Sequence, residues 1–126
     1  MLEHERVIDE YVKKIMKEIM LDGVLHYPLL VEKRYHIILD GHHRYNALKR
    51  LGATLVPVFI VDYSSPNIIV RSWRPNIHVT KELVLHAALS HNKLPPKTSK
   101  HIVNGIKIPR IDIPLRILLS KSIGEC

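Results

Sequence analysis

The stretch Leu39-Asp40-Gly41-His42-His43-Arg44 gathers a carboxylate, two imidazoles and a guanidinium around one glycine. It falls where an apolar, strand-like run stops and a helical pattern starts. Free amides at a helix start point outward and attract anions. Gly41 permits a tight turn and a close backbone approach, and Arg44 adds a fork that suits phosphate oxygens. The spacing matches neither a Walker loop nor a dinucleotide fingerprint. Two readings fit these residues: a phosphate-binding turn, or a structural junction with Asp40 capping the helix and the histidine pair on the surface. Asp40 also suits magnesium, which takes one or two carboxylates together with phosphate oxygens. Joint zinc chelation by His42 and His43 is disfavoured, because adjacent helical residues diverge by roughly 100°.

Three further places carry reactive side chains. Pro96-Lys97-Thr98-Ser99-Lys100-His101 crowds two cations, two hydroxyls and an imidazole into a loop. Such a group can hold a phosphate or a carboxylate; a solvated basic loop is the plainer reading. Glu3-His4-Glu5 lies near the start, where acidic residues are explained by default as partners of a helix N-terminus. Trp73, flanked closely by Arg71 and Arg74, is either a core anchor or a pocket wall.

The elements that must position these groups follow from the hydrophobic pattern. Val7, Ile8, Tyr11, Val12, Ile15, Met16, Ile19 and Met20 form one apolar stripe of an amphipathic helix. Asp22-Gly23 stops that helix. The runs Pro28–Val31 and His36–Leu39, joined by the polar turn Glu32–Tyr35, read as a hairpin. Tyr45, Ala47, Leu48 and Leu51 continue at helical spacing until Gly52. Val56–Val61 is a third strand and Ile68–Val70 a fourth. Thr80 is a candidate N-cap for a helix whose inner face is Leu83, Val84, Ala87 and Ala88. Beyond Pro95-Pro96 the chain becomes loop-rich, and Ile111, Ile113 and Leu115 alternate as an edge strand would. Helices mixed with a small sheet make the class α+β or α/β.

The chain has 126 residues and a net charge of +7, enough length for one domain with a real core. No apolar run approaches the roughly 18 residues of a membrane span, and the first residues lack a secretory signal pattern. The only cysteine is Cys126, which excludes an intrachain disulfide and a thiolate zinc site. A cytoplasmic protein is the expectation. Glutamine is absent while lysine and isoleucine abound, a composition that leans towards a high growth temperature.

Together the segments resemble a known group. Asp40-Gly41-His42-His43-Arg44 followed by Ala47-Leu48-Lys49-Arg50-Leu51-Gly52 is similar to the signature of the ParB/sulfiredoxin-like superfamily. Within it, His4-Glu5, Val61-Asp62-Tyr63, Ser72-Trp73 and Pro96–His101 resemble, in order, segments of the archaeal free serine kinases. The resemblance covers nearly the whole chain. It implies the α+β class, a small mixed sheet flanked by helices, and a ParB/sulfiredoxin-like kinase domain over residues 1–126, with 80–126 completing the site. It also implies phosphoryl transfer from ATP or ADP to free L-serine, giving O-phospho-L-serine for cysteine biosynthesis. Carried over by motif, Glu5 would be the general base, with Asp40 assisting through Mg2+ or by orienting the nucleophile, and His43 also catalytic. Gly41, His42, His43 and Arg44 would cradle the nucleotide phosphates. Trp73, Lys97, Thr98, Ser99 and His101 would hold the substrate and the transferred group. Such a set supplies the positioning and charge that phosphoryl transfer chiefly needs.

The chain departs from the family in two ways. Only Arg74–Val79 separates Trp73 from Thr80, where some members carry a long insertion. Ser99-Lys100 replaces the usual Thr-Arg, and lysine cannot form a bidentate fork. The alternative is a ParB-like DNA-binding or partition-type module, with which a charge of +7 is compatible. Against it, the basic residues are scattered, and the stretch after Val79 is short for a helix-turn-helix domain. Sulfiredoxin chemistry is disfavoured because His42 stands where its cysteine nucleophile belongs. The donor nucleotide and the oligomeric state stay open.

Overall fold

The computed structural model describes residues 1–120; Cys126 lies outside them. The elements run β1 (Leu2–Glu3), α1 (Asp9–Asp22), β2 (Val24–Leu25), β3 (Leu29–Glu32), β4 (Ile37–Asp40), α2 (His42–Arg50), β5 (Val58–Val61), β6 (Ile68–Ser72), α3 (Lys81–Leu89), β7 (Ser99–Val103), β8 (Ile113–Pro114) and α4 (Leu115–Leu118). The class is the expected α+β.

A four-stranded mixed sheet of order β1-β4-β3-β5 carries the fold. Its central hairpin, β3 against β4, is antiparallel, while β1 and β5 join in parallel. Both faces are covered, which is why Leu29-Leu30-Val31 and Ile37-Ile38-Leu39 are unbroken apolar runs rather than alternating ones. On one face Leu29, Val31 and Ile38 pack with Tyr45 and Val56. On the other, Leu30, Ile37 and Leu39 pack with Val61, Tyr63, Ile68 and with Val84 and Ala88 of α3. Thr80 caps α3 as expected, its Oγ1 accepting from the Leu83 amide at 3.1 Å.

Helix α1 begins with Asp9 and Glu10, acids that suit the positive end of its dipole. It ends at Gly23, whose φ of 66° lets its amide return to the Ile19 carbonyl. Its buried edge is narrower than the sequence pattern implies. Val12 and Ile19 pack on Ala47 and Leu48 of α2, whereas Tyr11 and Met20 stay exposed.

The hairpin turn is held from within by Glu32. Its carboxylate is buried and accepts from the amides of Arg34 (2.8 Å), Tyr35 (2.7 Å) and Ile37 (2.9 Å). Charge-assisted bonds of this kind are among the stronger ones, and removing them strands buried donors. Glu32→Ala is expected to destabilise the chain by about 2–4 kcal/mol in urea titration, with Glu32→Gln recovering part of the loss.

Three expectations need correction. Ser99–Val103 is a strand and not a loop: β7 pairs antiparallel with β6, which extends to Ser72, and Ser72 faces Ser99. The residue Ile111 belongs to no strand; only Ile113–Pro114 pairs, with β2. Glu3-His4-Glu5 does not serve a helix start. Helix α1 begins later, at Asp9, and the acidic segment instead runs beside β4 and bridges to Leu94.

Candidate active site

Three stretches far apart in sequence converge on one cavity of about 640 Å³. Its walls are Glu5, Ile15, Leu39, Asp40, Gly41, His42, His43, Arg44, Trp73, Lys97 and Ser99. Backbone pairing brings the first and last of these together. The Leu94 amide donates to the His4 carbonyl and the Arg6 amide to the Leu94 carbonyl, each at 2.8 Å. That clamp delivers the following loop, and Ser99 at its end, onto Glu5.

The junction after β4 is formed by Gly41, with φ of 103°. An added Cβ there would stand 2.5 Å from Leu29 Cδ2 and 3.0 Å from Arg44 Nη2. Gly41 is also the N-cap of α2, and no side chain caps that helix. The structural reading of Asp40 as the cap is therefore wrong. Asp40 points to solvent at the cavity rim, 3.8 Å from Arg44. Arg44 donates through Nη1 to the carbonyls of Tyr27 (3.0 Å) and Pro28 (3.2 Å). Part of its fork thus anchors the approach to β3. The histidine pair is not a surface patch: His42 is buried, and its Nε2 accepts from the His4 amide at 3.2 Å. His43 Nε2 accepts from the Ile8 amide at 3.0 Å, tying α2 to the lead-in of α1.

Glu5 lies at the centre. Its Oε2 accepts from the Ser99 amide at 2.8 Å and from the Ser99 hydroxyl, and it is 3.5 Å from His4 Nε2. Burial would raise this carboxyl, but the donors on His4 and Ser99 outweigh it and hold the pKa at about 2. Glu5 is accordingly an anion. Its Ser99 partner is also 2.7 Å from His4 Nε2, and His4 Nδ1 is 2.8 Å from the Ile38 carbonyl.

His4 is not among the site residues expected from sequence, and it is fully buried (0% exposed) and organises the site. Its ring meets His42 edge-on at 4.5 Å and His101 at 5.7 Å. The available signal was a histidine next to an acid inside an otherwise polar start. Tyr63, which the motif Val61-Asp62-Tyr63 contains without a role, places its Oη 2.8 Å from His101 Nε2.

Two of the expected substrate-binding residues do not line the cavity. Thr98 is 0% exposed and its hydroxyl donates to the Pro95 carbonyl at 2.6 Å. His101 lies behind His4, against Tyr63. Trp73 does line it. At 59% exposure the tryptophan is a wall and not a core anchor, with Lys100 Nζ 4.6 Å above its ring. Lys97 adds a cation at the rim, 4.3 Å over Tyr11. Among the described residues no group of three or more His, Cys, Asp or Glu side chains is arranged to hold a metal ion. None of their helices is long and apolar enough to cross a membrane.

Burial pushes the imidazoles of His42, His43 and His101 below the ordinary 6.5, helped by His4 at the first and third and by Lys97 at the second. His101 falls to about 3. Between the ordinary and native values the unfolded chain binds more protons, so stability is lost as pH falls. The loss starts near 6.5 with the histidines and continues below 4.5 as Glu5 comes into play. His101 alone contributes on the order of 3 kcal/mol between neutral pH and pH ~4. Urea midpoints across that range should fall steadily, and less steeply in His101→Gln; a flat profile would remove the half-buried neutral histidine from the account.

No family model matches the chain. Similar sequences are an ATP-dependent L-serine kinase of Staphylothermus marinus, a ParB-like protein of Sulfolobus acidocaldarius and an ADP-dependent L-serine kinase of Thermococcus kodakarensis. The first is 35% identical over 81 residues, 61% of this chain and 32% of the relative. The second is 39% identical over 70 residues, 56% and 35% of the two chains. The third is 32% identical over 76 residues, 57% and 31%. The chain thus spans about a third of the length of these curated relatives. A free serine kinase solved in complex with AMP superposes with a TM-score of 0.83 at 17% identity, over 93% of this chain and 89% of that one. The chain is therefore a sequence relative of archaeal L-serine kinases and has the ParB/sulfiredoxin-like fold of free serine kinase.

Proposed function

We propose that the chain is a free L-serine kinase, transferring a phosphoryl group from ATP or ADP to the serine hydroxyl to give O-phospho-L-serine. The product suits cysteine biosynthesis in a cytoplasmic setting. One observation carries the reading: an ionised carboxylate, Glu5, already bonded to a serine hydroxyl, shares a cavity with the Gly41 turn and the start of α2. The names of the relatives point the same way.

In this reading the amides at the start of α2, with His43 and Arg44, receive the donor's phosphates. Glu5 orients the acceptor hydroxyl and takes its proton. Phosphoryl transfer proceeds through a loose transition state, so positioning and charge matter more than base strength. A carboxylate with a pKa of about 2 fits that demand. Lys97 supplies charge at the rim, Trp73 a wall for the substrate, and Ser99 a hydrogen-bonding partner. Thr98 and His101 contribute by shaping the β7 segment and supporting His4. Asp40, the exposed carboxylate of the cavity, fits a magnesium ion that completes its shell with phosphate oxygens. Residues 1–126 act as one kinase domain, and the part from 80 onward completes the site by bringing Lys97 and Ser99 to Glu5.

Incubation with L-serine, magnesium and either ATP or ADP is expected to yield phosphoserine, detected by mass spectrometry. Running both nucleotides side by side decides the donor. A chain that makes no phosphoserine with either, yet binds duplex DNA with a steep salt dependence, would be the ParB-like binding module instead.

A further inference from the structure

We propose that Ser99 is itself a phosphoryl acceptor, so that the chain modifies its own Ser99 from a bound nucleoside tri- or diphosphate when free serine is absent. The inference rests on the phosphoryl-transfer reading of the cavity and extends it to a second acceptor.

The hydroxyl that the reaction must place on Glu5 is already there. Ser99 Oγ donates to Glu5 Oε2, and the Ser99 amide holds the same oxygen at 2.8 Å. On its other side Oγ is 2.7 Å from His4 Nε2. Ser99 lines the same cavity as Gly41 and His43, the residues to which the proposed reading assigns the donor's phosphates. A free acceptor has to displace this hydroxyl or share its carboxylate. Ser99 needs no capture from solution, and such tethering is a large advantage for a reacting group.

The neighbouring hydroxyls are not comparable. Thr98 Oγ1 is buried and donates to the Pro95 carbonyl, and Ser72 Oγ donates to the Arg74 carbonyl at 2.6 Å. Neither contacts a carboxylate in these bonds. The product also has partners: a phosphoryl group on Ser99 would meet His4 Nε2 at once and has Lys97 in the same cavity.

The step balances. An Oγ–P bond forms to the terminal phosphorus as the bridging P–O bond to the leaving nucleotide breaks. The Oγ proton passes to Glu5 Oε2. A triphosphate leaves as the nucleoside diphosphate, and a diphosphate as the monophosphate.

The test incubates the full chain with magnesium and ATP or ADP labelled on the terminal phosphate, without amino acid, and maps the label by peptide mass spectrometry. One phosphoryl group on Ser99 is expected. It should vanish in Ser99→Ala and Glu5→Gln, persist on the new hydroxyl in Ser99→Thr, and decline as free L-serine is added. Phosphoserine formation without label at position 99 overturns this inference and leaves the kinase reading standing. Label on another residue overturns it equally. Label on Ser99 without phosphoserine from free serine upholds it and refutes the choice of acceptor. Neither product in a chain that binds nucleotide ends both.

Discussion

Replacing Glu5 by glutamine should lower phosphoserine formation by about 10²–10⁴-fold while leaving nucleotide affinity nearly unchanged. The two effects separate because the two functions sit on different segments. Glu5 precedes α1 and faces Ser99, whereas the phosphate contacts we propose belong to the turn between β4 and α2. Glutamine keeps the size of the side chain but removes the negative charge and puts an amide in place of one oxygen. It cannot take the acceptor's proton, and it accepts from the Ser99 amide and hydroxyl less well than a carboxylate does. The measurement is kcat with L-serine beside a nucleotide titration by calorimetry. Wild-type turnover in the glutamine variant would take the base role away from Glu5. A parallel loss of nucleotide affinity would mean that the substitution had disturbed the whole cavity.

Gly41→Ala is expected to be the most damaging single change in the turn between β4 and α2. A φ of 103° is costly for any residue with a Cβ, by about 1–3 kcal/mol. Overpacking against Leu29 Cδ2, only 2.5 Å from the added carbon, contributes another 1–3 kcal/mol or so. Leu29 is fully buried in β3 and cannot retreat without moving the sheet. Together they amount to roughly 2–6 kcal/mol, a melting temperature lower by on the order of 10 °C or more. Gly23→Ala is the control: φ is 66°, but nothing lies within 4 Å of the added carbon. It should pay only the backbone strain, so near-equal losses at the two glycines would contradict the contact argument. Arg44 Nη2, 3.0 Å from the same carbon, would also shift, and nucleotide binding should weaken with stability.

Most of the elements were legible in the chain because their signals are local. A helix stripe closed by Gly23, a hairpin around a polar turn and a Thr80 cap each depend on neighbours within a few residues. The motif Asp40–Arg44 was legible for the same reason: a glycine between a strand and a helix announces its own geometry. Where several such signals agree, the fold class follows.

What tertiary structure alone decided is pairing across distance. Nothing local tells Ser99 that Ser72 will face it, and this pairing turned an apparent loop into β7. The Leu94 bridge to the His4–Arg6 segment is equally nonlocal, and it set Glu5 against Ser99 rather than at a helix start. Burial then sorted the polar residues. His4 and Thr98 look like surface residues by type, but both are enclosed, one as the organiser of the site and the other as a strut on Pro95. The residue types and the order of the motifs carried the chemistry; which hydroxyl meets which carboxylate depended on backbone hydrogen bonds between segments some ninety residues apart, whose energies exist only once the sheet has formed.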